Sequence, residues 1–314
     1  MISVILPCFN VERYIERCFA SCIAQTYQDF EMIFVNDSST DGTLNKLREF
    51  ECRDSRVKVI DLKTNVGTFH ARKAGYEASL GDYIFFLDPD DEITSDFLEL
   101  MLNESIQKNA DIIFCKLDIR PNKIYRTEMQ VPKESERDKI FENCVLNLKH
   151  IPKGNPGKFY KKALVENAYN ILKFIEKRFI YAEDVVFFFA ALLSANRISS
   201  VNESKYIYYL NNSSITQSRN IDKIRYNIEQ LEIAIKSLKI LSEDRSDIAK
   251  RTSEVLVDSL NYDKKSLERS IFVYSKNNYG YFCKTIEMLS IKIYWKNLVK
   301  LFIFFISFSN IKLV

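Results

Sequence analysis

The stretch Tyr83–Ile93, YIFFLDPDDEI, ends an apolar run in four closely spaced carboxylates. Crowded carboxylates repel one another and raise one another's pKa unless a positive charge lies among them. The stretch alone allows two interpretations, an acidic turn in water or a site for a metal ion. The surrounding sequence has to decide between them.

Composition limits the classes of protein that this chain can form. Its 314 residues favour about two domains, and a hydrophobic content of 46% is enough for a substantial core. A formal net charge of +3 argues against a protein that coats nucleic acid. The seven cysteines contain no CxxC pair, and we expect no secretory signal, so a reducing cytoplasm is favoured. Because there are only two histidines, acid–base chemistry by Asp or Glu is favoured over a zinc site or a Ser-His-Asp triad.

Strand and helix signals alternate along roughly the first 115 residues. Short apolar runs such as ISVILP and FEMIFV predict strands, and segments with a helical apolar period lie between them. Asn10 is the expected N-cap of the first helix. The alternation predicts βαβ units and a mostly parallel sheet with both faces covered. Ligands of such sheets bind beyond the carboxyl ends of the strands, where the acidic stretch lies.

The loops after the strands exclude two common phosphate motifs. The first strand runs into PCFN, without GxGxxG, which disfavours a Rossmann dehydrogenase, and no GxxxxGK[ST] loop occurs in the chain. The loop NDSSTDGT is either a ligand loop or a polar connection. In NVGTFHARKAG, Arg72 and Lys73 either reach a phosphate or an acid, or lie on a solvated helix face.

The acidic stretch is suited to a hard divalent cation. Pro89 biases Asp88 to an extended conformation, and alternation along an extended chain places Asp88 and Asp90 on one side. Mg²⁺ and Mn²⁺ take one or two protein carboxylates and complete their shell with water and substrate phosphates. The pattern therefore indicates the chemistry of a nucleoside diphosphate.

Several motifs in order resemble the bacterial family-two glycosyltransferases of GT-A fold. The resemblance is carried by SVILPCFNVERYIERCFASCIAQTYQDFEMIFVNDSSTDGT, NVGTFHARKAG and YIFFLDPDD in residues 1–115, and more weakly by GKFYKKAL, YAEDVVFFFA and YIYYLNNSSIT, to about residue 216. Within the family, the chain resembles lipooligosaccharide and capsule transferases, including β-galactosyltransferases of Campylobacter-like bacteria.

The resemblance implies an α/β GT-A fold, Rossmann-like with a mostly parallel sheet flanked by helices. It also implies a UDP-sugar donor, Mn²⁺ or Mg²⁺, and inversion at the anomeric carbon. Residues 1–115 would form the nucleotide-sugar-binding half and 116–220 the acceptor-binding half. Beyond the resemblance, the pattern of residues 221–314 itself predicts a helical C-terminal region. Carried over by motif, the donor-site residues are Pro7 at the start of the loop beside the uracil, Asp37 on the uracil ring, Arg72 on base or phosphate, Asp88 near the ribose and beside the metal, and Asp90 on the metal. Asn36 departs from the family, which usually has an acid there.

Glu183 and Asp184 are the candidate catalytic acids. They precede an apolar run and are expected at a helix N-terminus, where acids also serve simply to complement the helix dipole. The family places its general base in an acid motif that matches Asp184. Lys158 in GNPGKFYKK is expected near the donor phosphates or the acceptor, with a surface lysine as the alternative.

The C-terminal tail, Lys284–Val314, is basic and rich in aromatic residues. Its run LFIFFISF is shorter than the ~20 residues that span a bilayer. The composition predicts peripheral contact with an anionic membrane surface, with a core helix or a homo-oligomer contact as alternatives. The combined expectation is a transferase at the cytoplasmic face of the inner membrane, moving galactose to a lipooligosaccharide or another glycan. UDP-GalNAc, UDP-GlcNAc or UDP-Glc as donor, a sugar nucleotidyltransferase and a non-catalytic binding protein stay open.

Overall fold

A computed structural model describes residues 1–121, 130–148, 153–210 and 220–274 of the chain. The predicted tail Lys284–Val314 and the NNSSIT part of YIYYLNNSSIT lie outside these described residues. Within the described ranges, no helix combines the length and the apolar character needed to cross a bilayer.

Strands and helices alternate in the first part of the chain, as predicted. The elements are β1 Ile2–Cys8, α1 Ile15–Ile23, β2 Phe30–Asn36, α2 Thr43–Arg53, β3 Val57–Asp61, α3 Thr68–Glu77, β4 Tyr83–Phe86, β5 Glu92–Ile93, α4 Phe97–Lys108 and β6 Ile112–Arg120. Helix α1 shows why the pattern works, because its buried residues Ile15, Cys18, Phe19 and Cys22 recur at the spacing of one helix face.

The second part is more irregular. Its elements are β7 Ser135–Glu136, β8 Lys158–Lys161, α5 Lys162–Ile171, α6 Glu183–Ser194, β9 Arg197–Tyr209, α7 Ile221–Ser242 and α8 Asp247–Tyr274, with a 3₁₀ turn at Arg137–Lys139 and a π turn at Glu142–Leu146. The two long helices α7 and α8 pack against each other and join the core through α6.

One sheet runs through both ranges predicted as halves of one domain, residues 1–115 and 116–220, in the order β3-β2-β1-β4-β8-β6-β9-β5, with β7 on β9. Strands β3, β2, β1 and β4 are parallel, β8 is antiparallel to both of its neighbours, and β6 and β9 are again parallel. The predicted α/β fold class is therefore confirmed. The register pairs Cys8 with Asn36, so the carboxyl ends of β1 and β2 lie level at one edge.

The sheet is covered on both faces, which is why its strands are apolar along their whole length. In β1, Ile5 belongs to the core beneath α3, α5 and α6, whereas Val4 and Leu6 belong to the core beneath α1, α2 and α4. In β4, Phe85 and Phe86 divide between the same two cores. Two packed faces fix the register of the strands and hold their carboxyl ends in place.

Two local predictions are wrong. Asn10 does not cap α1, which begins five residues later, at Ile15. Instead, Asn10 has a φ of 54° and accepts a hydrogen bond from the main-chain N–H of Thr40 (2.8 Å), so a tertiary contact replaces the local cap. The stretch after β4 is not extended either. The N–H of Asp91 donates to the carbonyl of Asp88 (3.0 Å), which closes a turn, so strand alternation does not govern the directions of Asp88 and Asp90.

Candidate active site

The loop after β1 begins two residues later than the sequence indicated, at Phe9 rather than Pro7. Pro7 lies inside β1, opposite Val35, and is buried rather than at the start of the loop. Phe9 begins the loop and is 45% exposed. Sequence reasoning did not single out Phe9, although an aromatic residue directly after a strand offers a flat apolar surface for a planar ligand.

Asp37 anchors the loop that precedes α3. Its carboxylate accepts hydrogen bonds from the N–H groups of Val66 (2.7 Å) and Gly67 (2.9 Å). Burial raises the pKa of Asp37 even though these two N–H groups lower it. Gly67 is required there because its φ is +87° and an added Cβ would meet Ile180 at 2.7 Å. The assignment of Asp37 to uracil stays a prediction.

The hydrogen bonds of Asn36 account for an amide at a position where the family usually has an acid. Its side-chain amide donates to Asp61 Oδ1 (2.7 Å), and its Oδ1 accepts from the N–H of Ser39 (3.3 Å). An ionised acid has no N–H to donate and would repel Asp61. The amide therefore holds the end of β2 beside β3, a tertiary contact that the sequence did not indicate.

Arg72 joins the two acidic clusters. From α3, its Nη2 donates to Asp88 Oδ1 (2.7 Å) and its Nη1 donates to Glu183 Oε1 (2.8 Å), while its side chain is only 7% exposed. Burial alone would lower the pKa of Arg72, but the carboxylates of Asp88 and Glu183 raise it above its ordinary value. The solvated-face alternative is therefore wrong for Arg72, and the end of β4 and the start of α6 lie at one site.

The acidic turn after β4 separates into different kinds of carboxylate. Asp91 is buried, and it accepts from the hydroxyl of Tyr206 (2.7 Å) and the N–H of Tyr209 (2.8 Å). Its contacts are those of a structural residue. Glu92 lies in an ion pair with Arg17, with Nε and Oε1 2.7 Å apart.

The residues of this turn fit a metal ion that is held partly by a substrate. In the described residues, no group of three or more His, Cys, Asp and Glu side chains could hold a metal ion by itself. Mg²⁺ and Mn²⁺ need only one or two protein carboxylates when phosphates supply other ligands. Burial and the charges of Asp88 and Asp90 raise the pKa of Asp91 to about 8, and a cation beside them would relieve this repulsion. Asp90 and Asp88 as metal ligands stay a prediction.

Glu183 and Asp184 begin α6, as predicted, directly after Ala182 in a left-handed conformation (φ 61°). Burial and the neighbouring charge of Asp184 raise the pKa of Glu183 to about 7, against the opposing effect of Arg72. Burial also raises the pKa of Asp184, whereas Arg72 and Lys158 lower it. Glu183 is buried and Asp184 is half-buried, and acids whose pKa is shifted toward neutrality suit proton transfer.

Gly154 lies against Asp184, and sequence reasoning missed it. A Cβ added to Gly154 would come within 2.9 Å of Asp184 Oδ2. The carboxylate therefore lies close beneath the main chain of the GNPG segment. A larger residue at position 154 would therefore have to displace the Asp184 carboxylate.

Lys158 is a buried lysine, so the surface alternative is wrong. Its ammonium lies 4.7 Å from the ring centre of Phe188 and 5.7 Å from that of Phe114. Burial lowers its pKa to about 7, although the nearby Asp184 raises it. A contact of Lys158 with the donor phosphates or the acceptor stays a prediction.

The sequence that builds this site matches the model of a known protein family. Residues 3–167 match the family model "Glycosyl transferase family 2". The chain belongs to this family. The match includes β1 to β4, the acidic turn and Lys158, but it ends before Glu183.

Among curated relatives, the chain is 32% identical over 225 residues to the uncharacterized glycosyltransferase EpsJ of Bacillus subtilis, covering 69% of this chain and 63% of EpsJ. It therefore spans just under two thirds of the length of that relative. It is 26% identical over 221 residues to WfgD of Escherichia coli, covering 70% of this chain and 81% of WfgD. WfgD is a UDP-Glc:alpha-D-GlcNAc-diphosphoundecaprenol beta-1,3-glucosyltransferase.

Solved structures of other transferases share the GT-A-like fold. TarS of S. aureus, in complex with UDP-GlcNAc, matches with a TM-score of 0.62 at 20% identity, covering 95% of this chain and 77% of that one. The mannosyltransferase PcManGT of Pyrobaculum calidifontis, in complex with GDP-Man and Mn²⁺, matches with a TM-score of 0.55 at 13% identity, covering 95% and 82%. At these identities the likeness concerns the fold.

Proposed function

We propose that this family 2 protein is an inverting glycosyltransferase that moves a sugar from a UDP-sugar to a hydroxyl of a cell-surface glycan or glycolipid. The observation that carries the proposal is the bridge made by Arg72, which brings the acidic turn and the acid pair of α6 to the same strand edge. Such an edge is where open α/β sheets bind their ligands. One cluster would serve the leaving nucleotide and the other the attacking hydroxyl.

On the attacking side, Asp184 is the proposed general base. It would take the proton of the acceptor hydroxyl as that oxygen forms a bond to the anomeric carbon and the bond to UDP breaks. Attack from the face opposite the leaving group inverts the anomeric centre. Burial raises the pKa of Asp184, which strengthens it as a base, while Arg72 and Lys158 oppose that rise and so support its ionised form.

On the leaving side, Asp90 and Asp88 are the proposed ligands of Mn²⁺ or Mg²⁺. When bound, such an ion supplies Lewis-acid stabilisation of the departing diphosphate, worth several kcal/mol. Asp37, the loop after Pro7, Arg72 and Lys158 are proposed to bind and orient the donor. The exposed ring of Phe9 is suited to stacking on its base.

The sugar and the acceptor are the finer part of the proposal. Galactose is the sugar that the motifs indicated, but the relative WfgD uses UDP-Glc and TarS was solved with UDP-GlcNAc. A lipid-linked acceptor is supported by the polyprenol-linked acceptor of WfgD. Peripheral contact of the tail with the cytoplasmic face of the inner membrane belongs to the same proposal, because it would place the enzyme beside such an acceptor.

A donor screen tests this function. UDP-Gal, UDP-GalNAc, UDP-GlcNAc and UDP-Glc are each incubated with truncated glycolipids, and UDP release is measured with Mn²⁺ and with EDTA. We expect one donor to give acceptor-dependent release that EDTA abolishes and Mn²⁺ restores. Donor binding without any release would indicate a non-catalytic binding protein. Formation of a UDP-sugar from UTP and a sugar phosphate would indicate a nucleotidyltransferase.

A further inference from the structure

We infer that Arg17 of α1 is a positioning residue, which holds the main chain of the acidic turn so that Asp90 can bind the divalent cation. The inference rests on the proposed function, because that function assigns a cation to this turn. Arg17 lies on α1, which packs on the face of the sheet opposite to α3 and α6. Neither the motifs nor the proposed mechanism assigns a role to Arg17.

Arg17 makes three contacts at the turn. Its Nη2 donates to the main-chain carbonyl of Asp90 (2.6 Å), and its Nε lies 2.7 Å from Glu92 Oε1, at ion-pair distance without hydrogen-bond alignment. The guanidinium lies over the ring of Tyr209, 3.6 Å from its centre. A planar fork stacked on an aromatic ring has little freedom, so it fixes the groups to which it donates.

Strand β9 holds the same turn from the other side. The hydroxyl of Tyr206 and the N–H of Tyr209 both donate to the carboxylate of Asp91. Tyr209 therefore contacts Asp91 through its main chain and Arg17 through its ring. Asp88 and Asp91, which lie before and after Asp90, are held by Arg72 and by β9. The hydrogen bond from Arg17 is made to the main-chain carbonyl of Asp90.

A positioning role and a purely electrostatic role of Arg17 predict opposite changes in metal affinity when Arg17 is removed. Arg17 is a cation close to a proposed cation site, so loss of its charge alone would tighten metal binding, because a repulsion disappears. If Arg17 instead positions the turn, its loss weakens metal binding despite the lost repulsion. Removal of groups that orient metal ligands typically costs 10–100-fold in affinity.

The experiment measures Mn²⁺ affinity in saturating UDP, from the electron paramagnetic resonance signal of free Mn²⁺, for the full chain, Arg17→Lys and Arg17→Met. We expect Mn²⁺ to bind about 10-fold more weakly to both variants. UDP affinity in EDTA should stay at the wild-type value, whereas a general loss of structure would lower both affinities. Arg53→Lys is the matched control, since Arg53 also lies over an aromatic ring, Phe19 at 5.0 Å, and pairs with a carboxylate, Glu16 at 2.8 Å, away from the turn.

The outcomes separate the two proposals. Wild-type or tighter Mn²⁺ binding by either Arg17 variant overturns the positioning of the turn and leaves the proposed function intact. A parallel loss of UDP affinity in EDTA overturns it as well, because the defect would then be general. If the unaltered protein with UDP binds no Mn²⁺, the metal assignment itself fails, and Arg17 has no cation site to position.

Discussion

The acidic turn after β4 and the acid pair at the start of α6 each contribute a carboxylate to Arg72, and these two carboxylates differ in exposure. In the turn, the side chain of Asp88 is 26% exposed, whereas that of Glu183 in the pair is 9% exposed. A partly open carboxylate can be reached by a cation, whereas burial raises the pKa of Glu183 toward neutrality and suits it to proton transfer. The difference shows that the surroundings of a carboxylate, and not its residue type, suit one cluster to metal binding and the other to proton transfer.

Arg72 lies where the two clusters meet. It donates one hydrogen bond to Glu183 of the acid pair and one to Asp88 of the acidic turn, and its side chain is buried. A single cation therefore keeps two sets of like charges close to each other. Variants of Asp184 in the acid pair, of Arg72 between the clusters, and of the neighbouring Lys158 test this comparison.

The largest effect is expected from Asp184→Asn. Loss of the base should lower turnover about 10²–10⁴-fold, whereas UDP affinity should stay near the wild-type value because the turn is intact. Turnover and UDP binding are measured in parallel, with Asp82→Asn, at an 81% exposed side chain, as control. Near-normal turnover in Asp184→Asn would assign the base elsewhere.

The next largest effect is expected from Arg72→Met, which breaks the bridge. Glu183 and Asp88 would lose their cation, and removal of one partner from a buried ion pair typically lowers the free energy of unfolding by about 3–5 kcal/mol. Chemical denaturation measures it. Arg48→Met is the control, since Arg48 and Glu51 form an exposed pair, worth about 0–1 kcal/mol. Equal losses in the two variants would show that the bridge does not hold the clusters together.

The smallest effect is expected from Lys158→Met and concerns pH. The pKa of Lys158 falls from 10.5 to about 7 in the folded protein, so between these pH values the unfolded chain binds more protons and the free energy of unfolding rises with pH. Lys158→Met should reduce this rise. Denaturation at pH 7 and at higher pH measures it, and the exposed Lys58→Met should keep the wild-type slope. An unchanged slope in Lys158→Met would mean that the lysine keeps its charge.

Much of the fold followed from local pattern. The strands of the first part and the start of α6 at Glu183 were predicted because burial on both faces imposes apolar runs, and burial on one face imposes a helical period. Predictions failed where a distant residue overrides a local preference. Asn10 is held by Thr40 instead of capping a helix, and the stretch after β4 closes into a turn.

The candidate site divides in the same way. Its acids could be placed at strand and helix ends from sequence, because these ends are marked by the apolar runs beside them. Which acid is buried, and which is paired with which cation, could not be placed. Lys158 illustrates this, because nothing in GKFYKK distinguishes a lysine over two phenylalanine rings from one in water.

The sequence by itself determined the α/β architecture and the edge of the sheet at which the acids collect, since both follow from periodicity along the chain. Only the tertiary structure decided the partners. Arg72 and Glu183 are separated by 111 positions, and Arg17 and Asp90 by 73, yet each pair is in contact. Contacts across such distances depend on how helices pack on the sheet, and local pattern carries no record of that packing.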